Sequence, residues 1–259
     1  MKIATWNVNS LKVRLPQVLD WLGEAAPDVL ALQETKLQDE NFPHEELLAA
    51  GYQALWHGQK TYNGVAILSR TPLMDSWSGL SDGQARVITA TTGGVRVICA
   101  YVVNGQEVGS EKYAYKMDWL TELRLKVEQE LAQHDRLVLL GDFNIAPTPQ
   151  DTYDPEYWDG RILCSEPERE QLNALLALGL SDPWPNFEHG DASDSRNKER
   201  FTWWDYRANG FPRNLGLRID HVLVSAALAA RASDCRVDLA PRRWERPSDH
   251  APVVLTLEA

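Results

Sequence analysis

The sequence predicts an α/β protein in which helices cover buried β-sheets. Short apolar runs rich in β-branched residues indicate buried strands, and amphipathic segments with helical spacing lie between them. Strands and helices interspersed in this way are typical of sheets covered by helices. The order of the elements alone fits a doubly wound sheet and two packed sheets equally well.

Strand-like and helix-like segments follow one another along the chain. Apolar residues at helical spacing predict helices around residues 15–22, 120–131 and 172–176. The pair Gly93-Gly94 between two strand-like runs predicts a hairpin. The strand-like runs are residues 3–6, 29–32, 64–68, 86–90, 95–101, 137–140, 217–220 and 253–257.

We expect residues 1–259 to form a single domain. A chain of 259 residues could hold one large domain or two small ones. No Pro/Gly/Ser linker, low-complexity run or clean internal repeat divides it, and the hydrophobic fraction of 44% is normal for a globular core. Polar motifs that look like parts of one site extend from residue 7 to residue 250, so a domain boundary would cut that site apart.

Cysteine usage and the N-terminal segment predict a soluble cytoplasmic protein. Cys99, Cys164 and Cys235 are odd in number and lack metal-type spacing, which argues against a disulfide framework or a zinc site. Residues 1–7 contain too few apolar residues for a signal peptide, and no segment is long enough to span a bilayer. We therefore expect cytoplasmic localisation and no membrane partner.

The net charge of −11 at first argues against a nucleic-acid partner. Its distribution is more informative, because the acids concentrate at 151–156 and 166–170 whereas basic residues crowd two other segments. A basic face on an acidic body can hold a phosphate backbone with salt-dependent affinity, although a solvated charged loop is the alternative. The basic residues are Arg196, Lys198, Arg200, Arg207, Arg213 and Arg218 in one segment and Arg242, Arg243 and Arg246 in the other.

Polar side chains stand at the ends of five strand-like runs. Ser248-Asp249-His250 precedes the last run, and Gln33-Glu34 follows the run at 29–32. Carboxylates, amides and a histidine at several strand ends are expected to form one polar site on a sheet edge. The remaining ends carry Asn7 and Asn9, Asp142 and Asn144, and Asp220 and His221.

Seven short strings are spread over almost the whole chain. They are TWNVN at 5–9, LQETK at 32–36, YNGVA at 62–66, GDFNI at 141–145, TWWDYR at 202–207, GLRID at 216–220 and PSDH at 247–250. In this order they resemble the exonuclease III and abasic-endonuclease family of Mg-dependent DNA repair nucleases. The resemblance implies a deoxyribonuclease I-like fold, which is a four-layer α/β sandwich of two packed mixed β-sheets flanked by helices.

The resemblance also implies a bound Mg²⁺, with Mn²⁺ as a substitute. Glu34 ends an apolar strand with no adjacent arginine, and the family carries its metal carboxylate at this position with Asn7 beside it. Asp249 would be a second metal or water ligand. Mg²⁺ takes oxygen ligands and keeps several waters, so one or two carboxylates suffice. A cap on the next segment or an ion pair with Lys36 is the alternative role for Glu34.

Five further residues would act on the phosphate and the water, directly or through a partner. Asp142 and Asn144 match the family pair that aligns the attacking water, and alternate residues of an extended segment point the same way. An Asx turn is the alternative. His250 pairs in the family with the aspartate matching Asp220, and it could donate to a phosphate oxygen or accept a proton. Tyr101 matches the family tyrosine that contacts the phosphate.

The DNA-binding residues are also implied by the resemblance. Trp203 and Leu217 match residues that line the pocket for a base-free sugar, and Asn104 and Lys112 match positions that touch DNA phosphates. Arg207 lies in a segment that interleaves aromatic and basic residues, which suits stacking and backbone binding, with core packing as the alternative for the tryptophans. The implied partner is double-stranded DNA with nicks, gaps, 3′ ends or abasic sites, bound by a monomer.

The residues leave the exact activity open between a 3′-to-5′ exonuclease with 3′-phosphatase activity and an abasic-site endonuclease. A phosphoesterase acting on phosphoinositides or phospholipids is one alternative. A silent nucleic-acid-binding regulator is another, but it should have lost Glu34, Asp142 or His250. The segment 147–167 is expected to form a long loop beside the site, in which bulky side chains could crowd the DNA. These are Tyr153, Tyr157, Trp158 and Leu163.

Overall fold

Two six-stranded sheets and the helices that cover them make up the computed structural model, which describes residues 1–190 and 197–258. Arg196, expected in the basic segment, lies outside the described residues. The α-helices are α1 (Leu11–Ala25), α2 (His44–Ala49), α3 (Glu111–Leu131), α4 (Pro155–Trp158), α5 (Glu166–Leu176), α6 (Gly210–Arg213) and α7 (Ala226–Ala229). The strands are β1 (Lys2–Asn7), β2 (Val29–Gln33), β3 (Gln53–His57), β4 (Val65–Ser69), β5 (Met74–Ser78), β6 (Val87–Thr92), β7 (Val95–Tyr101), β8 (Leu137–Asp142), β9 (Leu180–Ser181), β10 (Trp203–Trp204), β11 (Gly216–Leu217), β12 (Asp220–Ser225), β13 (Ala232–Val237) and β14 (Val253–Leu257).

Each large sheet is mixed and has one parallel pair at its centre. The first sheet has the order β13-β14-β1-β2-β4-β3, with β1 parallel to β2. The second has the order β5-β6-β7-β8-β12-β9, with β7 parallel to β8. Helix α1 connects the first parallel pair and α3 connects the second, while the other neighbours run antiparallel.

The hydrophobic core has three layers. Val97 and Val138 of the second sheet belong to one buried cluster with Ile3 of the first, so this cluster fills the space between the sheets. Ile98, the next residue of β7, points to the other face and joins a cluster with α3 and α5. Leu30 of the first sheet likewise joins a cluster with α1. Helix, sheet, sheet and helix therefore form four layers, which confirms the predicted fold class.

The topology gathers many chain segments at one edge of the two sheets. The carboxyl ends of β1, β2, β7 and β8 lie at this edge, and the amino ends of the antiparallel strands β12 and β14 meet them there. Gly141 of β8 has a φ of 147°, and a Cβ at this position would meet the carbonyl oxygen of Ala100 on β7 at 1.8 Å. Strands β7 and β8 therefore approach so closely here that only glycine fits.

The sequence pattern did not reveal every strand. The edge strands β3, β5 and β13 were not predicted, because polar residues interrupt the apolar pattern of β5 and β13, and β3 has only three apolar residues between polar ends. The hairpin predicted at Gly93-Gly94 connects β6 and β7, and the helices predicted around residues 15–22, 120–131 and 172–176 are α1, α3 and α5. The expected loop after residue 147 contains the short helix α4 and ends where α5 begins at Glu166.

Candidate active site

Asn7, at the end of β1, joins two carboxylates from different strands. Its side-chain nitrogen donates to Oε1 of Glu34 at 2.9 Å and to Oδ2 of Asp142 at 2.9 Å. The hydroxyl of Tyr101, at the end of β7, donates to the same Oε1 of Glu34 at 2.9 Å. The side-chain oxygen of Asn7 accepts from the backbone N–H of Asn9, so Asn7 meets both carboxylates as a donor.

A buried histidine stands between two aspartates. Nδ1 of His250 lies 2.8 Å from Oδ2 of Asp220, and Nε2 lies 3.7 Å from Oδ2 of Asp142. The backbone N–H of Asp220 donates to the Thr202 hydroxyl, and that of His250 donates to the Ser248 hydroxyl. Because Nδ1 is held by Asp220, the other ring nitrogen, Nε2, is the one that faces Asp142.

Burial and neighbouring charges shift the pKa values of these groups. Burial is the largest effect on Asp142 and raises its pKa to about 7, with Asp220 adding to the rise and His250 opposing it. Burial alone would lower the pKa of His250, but the charges of Asp220 and Asp142 outweigh it and raise that pKa to about 10. Burial would raise the pKa of Glu34, yet Lys36 and Asn7 hold it below its usual value.

The acidic cluster can hold a metal ion. Ligand atoms of Glu34, Asp142 and His250 all lie within 4.8 Å of one another. Asp220 adds a third carboxylate, which is buried behind His250, and Asp142 has a strongly raised pKa at the centre of this negative charge. A cation would relieve that repulsion, and a carboxylate-rich donor set suits a hard divalent ion. Glu34 also forms an ion pair with Lys36 at 2.8 Å, which is the interaction named as its alternative role.

Asp249 lies beside this cluster rather than within it. Its two oxygens accept from Nδ2 of Asn9 at 2.9 Å and from Nε1 of Trp203 at 3.0 Å. Asn9 in turn accepts from the Lys36 ammonium through its own side-chain oxygen. A chain of hydrogen bonds therefore runs from Glu34 through Lys36, Asn9 and Asp249 to the tryptophan.

Asn144 is placed differently from the sequence expectation. Strand β8 ends at Asp142, and Asn144 has a φ of 50°, so the two residues do not alternate on an extended segment. Instead, the backbone N–H of Asn144 donates to Oδ1 of Asp142 at 2.9 Å, which is the Asx turn kept as the alternative. The side chain of Asn144 donates to Val102 and accepts from Asn104 at 3.1 Å. Asn144 nevertheless lines the same cleft as Asp142.

The cleft above these residues has a volume of about 210 Å³. Its apolar lining consists of Trp203, Ile219 and Leu163. Leu163 has a φ of 71°, a conformation uncommon for a bulky residue. Leu217 is fully buried, pairs with Trp203 between β11 and β10, and is not among the lining residues, so Ile219 takes the position expected of it. Sequence reasoning did not single out Ile219, although it lies in the GLRID string. The remaining lining residues are Glu34, Tyr101, Asn104, Asp142, Asn144, Asp249 and His250.

Residues 4–250 match the model described as the Endonuclease/Exonuclease/phosphatase family. The chain belongs to this family. Exodeoxyribonuclease III of Haemophilus influenzae is 34% identical over 98% of this chain and 98% of its own length. The solved 3′ phosphatase NExo from Neisseria, bound to a product DNA hairpin, is 50% identical with a TM-score of 0.95 over 100% of both chains.

An AP endonuclease from Archaeoglobus fulgidus is also similar, at 36% identity and a TM-score of 0.91 over 100% of both chains. These relatives confirm the predicted exonuclease III and abasic-endonuclease family and its fold. Within the described residues, no helix combines the length and the apolar character needed to cross a membrane.

For this family member, the structure corrects part of the expected basic face. Arg218 is buried and forms ion pairs with Asp151 and Asp182, both at 2.7 Å, so it is not free to bind a phosphate. Arg242 is also buried, and its guanidinium stacks on Trp204, which lies in the core. The basic candidates that remain exposed are Arg207, Arg213, Arg243, Arg246 and Lys112.

Proposed function

We propose that the protein is a metal-dependent DNA repair nuclease that hydrolyses phosphodiester bonds at 3′ ends, nicks, gaps or abasic sites of double-stranded DNA. The observation that carries the proposal is the position of Asp142, whose Oδ2 lies between the Asn7 amide and the Nε2 atom of His250. A carboxylate and an imidazole that lie 3.7 Å apart in one small cleft suit hydrolysis of a phosphate ester. The activities for which the relatives are named support the same class.

We propose Mg²⁺ as the metal, with Mn²⁺ as a substitute. Glu34 and Asp142 would hold it, because they provide the carboxylate oxygens of the acidic cluster. When bound, the metal supplies charge neutralisation on the phosphate and on the leaving oxygen. Oε2 of Glu34 is ion-paired with Lys36 in this structure, so Lys36 would help to orient this carboxylate.

Asp142 and His250 would divide the proton chemistry. Asp142, whose Oδ2 also accepts from Asn7, would orient the attacking water and accept its proton. His250 keeps Nδ1 on Asp220, so Nε2 is the atom that would donate to a phosphoryl oxygen. Tyr101, held by Glu34, would contact the phosphate from the β7 side.

The DNA would be held mainly through its backbone. Arg207, Arg213 and Lys112 are exposed and charged on an acidic body, which favours weak sequence preference and salt-dependent affinity. Trp203 and Ile219 would contact a sugar. The cleft of about 210 Å³ is smaller than the roughly 300–1,000 Å³ typical of sites for drug-sized ligands, so it suits a group as small as a sugar. We further propose a cytoplasmic monomer.

Purified protein offered defined duplexes tests this proposal. The substrates are a nick with a 3′-phosphate, a recessed 3′-hydroxyl end and an internal abasic site, each with Mg²⁺, with Mn²⁺ and with EDTA. Cleavage of at least one duplex that requires the divalent metal is expected. Cleavage of phosphatidylinositol phosphates without attack on any duplex would favour the phosphoesterase alternative, and binding without cleavage would favour the silent regulator.

A second candidate restricts the enzyme to 3′ ends. Leu163 faces the cleft from the segment that follows Asn144, where its side chain narrows the space beside Ile219. At an internal abasic site the strand continues on both sides of the scissile bond, and the cleft must accommodate both. At a nick or an end the strand stops on one side, so the DNA there is free to bend away from the cleft. The comparison of nicked and abasic duplexes above distinguishes the two candidates.

A further inference from the structure

A fully buried ion pair lies behind the cleft. Lys116 of α3 and Glu168 of α5 both have side-chain exposures of 0%, and their ammonium and carboxylate groups are in direct contact. The ammonium also donates to the backbone carbonyls of Asn144 at 2.7 Å and Asn104 at 3.2 Å. All three ammonium protons are therefore used, and two of the acceptors belong to residues that line the cleft.

The two oxygens of Glu168 have different tasks. Oε2 accepts from the backbone N–H and the hydroxyl of Ser165, which completes the capping box of α5. Oε1 accepts from Lys116 and from the backbone N–H of Leu163 at 3.0 Å. The helix cap accounts only for the hydrogen bonds of Oε2. The hydrogen bond that Oε1 accepts from Leu163 is therefore a separate function of the same carboxylate.

The Lys116–Glu168 pair thus binds both ends of the segment that begins after Asn144 and ends at Leu163. The backbone N–H of Ala146 donates to the carbonyl of Leu163 at 2.7 Å, which brings the two ends of this segment together. Lys116 holds the Asn144 end and Glu168 holds the Leu163 end. The position of the Leu163 side chain in the cleft therefore depends on a charged pair that no substrate touches.

We propose that Lys116 and Glu168 are positioning residues that set substrate choice by fixing Leu163 against the cleft; this rests on the nuclease function proposed above. A buried pair of this kind contributes little net stability, because desolvation offsets its attraction and a packed apolar pair does as well. What an apolar pair cannot do is form hydrogen bonds that hold the backbone groups of Asn104, Asn144 and Leu163 in one geometry. The pair keeps the cleft narrow, which favours 3′ ends over internal abasic sites.

Two conservative variants separate this role from the helix cap. Lys116→Met keeps the length of the side chain and removes its donors. Glu168→Gln keeps one oxygen for the cap and places an amide nitrogen where Leu163 and Lys116 need an acceptor. The matched control is Arg96→Met, which breaks the Arg96–Glu130 ion pair at 2.6 Å between strand β7 and the same helix α3, at the end away from the cleft.

The measurement is kcat/KM on the abasic duplex divided by kcat/KM on the nicked 3′-phosphate duplex. We expect both test variants to raise this ratio about tenfold, the order expected when a hydrogen bond to a charged group is lost. The control should lower thermal stability without moving the ratio. Should Lys116→Met fail to fold, the double variant Lys116→Met/Glu168→Leu removes both charges together and takes its place.

Amide hydrogen exchange at Leu163 gives a readout that does not require activity, and it should accelerate in the test variants only. An unchanged ratio in active variants, unchanged exchange at Leu163, or an equal change in Arg96→Met would overturn the positioning role while leaving the nuclease proposal standing. A wild-type protein that cuts none of the duplexes would overturn the nuclease proposal and the substrate-choice role with it.

Discussion

Asp142 and Asp220 face each other as register partners on the antiparallel strands β8 and β12. Two carboxylates brought together in this way repel each other when both are ionised. His250 lies between them, with Nδ1 on Asp220 and Nε2 toward Asp142, and its positive charge offsets part of theirs. The three side chains therefore act as one electrostatic unit. Removal of one side chain changes the charge balance around the other two and so changes their roles.

Double substitution tests whether His250 and Asp220 act as this unit. His250→Ala and Asp220→Ala should each lower kcat strongly, but the double variant should be little worse than the worse single variant, because each residue works through the other. Single-turnover rates on a nicked duplex give the comparison. His250→Ala combined with Lys112→Ala is the control, and there the defects should multiply. Multiplication in the His250–Asp220 cycle as well would mean that the two residues work independently.

Glu34 is expected to be the main metal ligand. Glu34→Gln removes the ligand charge without changing volume, so we expect activity to fall about 10²-fold or more while the fold stays intact, the order of a lost electrostatic stabiliser. Raised Mg²⁺ should recover part of the loss. The metal dependence of cleavage gives the measurement, and the exposed Glu40 replaced by Gln is the matched control. Equal activity of Glu34→Gln and wild type at limiting Mg²⁺ would exclude this ligand.

The sequence was sufficient to place the polar groups at one sheet edge. Glu34, Asp142, Asp220 and His250 each flank a buried strand, and strand ends can be located from apolar runs and the polar residues that interrupt them. Their convergence could be predicted because residues at the ends of central strands meet at the sheet edge. Their distances could not, since these depend on register between strands far apart in the chain.

Burial of charged side chains was harder to predict for a related reason. Arg218 looked like a phosphate ligand, because its carboxylate partners Asp151 and Asp182 lie 67 and 36 residues away in the chain. Leu217 and Ile219 are separated by one residue, and which of them faces the cleft depends on the local turn between β11 and β12. The side chains of Asp142 and Asn144 do not lie on one side of an extended strand as expected, because β8 ends two residues before Asn144.

Backbone-driven DNA binding predicts a strong dependence on salt. Replacing Lys112, Arg207 and Arg213 together by Gln should reduce the slope of log affinity against log salt, by about 0.9 for each phosphate that the protein no longer neutralises. Fluorescence anisotropy with a catalytically inactive background provides the slope. Lys126→Gln with Arg236→Gln removes charges from exposed positions on α3 and β13 as the control. Equal slopes in the triple variant and wild type would place the DNA on another surface.

The Asp151–Arg218 pair predicts a pH-dependent stability. Burial would raise the pKa of Asp151, but the charge and hydrogen bond of Arg218 outweigh it and lower that pKa. The stabilising contribution is therefore present above the unfolded-state pKa, about 3.9, and is lost as the pH falls through the lower folded-state value. Asp151→Asn should be less stable than wild type at neutral pH by about 1–3 kcal/mol.

This difference should shrink on acidification. Urea unfolding of wild type and Asp151→Asn at about pH 7 and about pH 3 measures it, since the other carboxylates affect both proteins equally. The exposed Asp20 replaced by Asn is the control and should change stability little at either pH. A difference that stays constant with pH would show that the lost interaction does not depend on the ionisation of Asp151.

Leu163 gives the most direct test of substrate choice. Its φ of 71° is accessible to glycine without strain, so Leu163→Gly keeps the backbone path while it removes the side chain from the cleft. Loss of the buried side chain should cost about 2–5 kcal/mol of stability, in part offset by relief of the strained backbone. We expect cleavage at an internal abasic site to rise relative to cleavage at a nick, because the wider cleft accepts DNA on both sides of the bond.

Asp75→Gly, with a φ of 51° on the edge strand β5, is the backbone control and should leave the ratio unchanged. If Leu163→Gly and Asp75→Gly give the same ratio as wild type, then the side chain of Leu163 does not select between the two substrates, and the selection must be made by DNA contacts farther from the cleft.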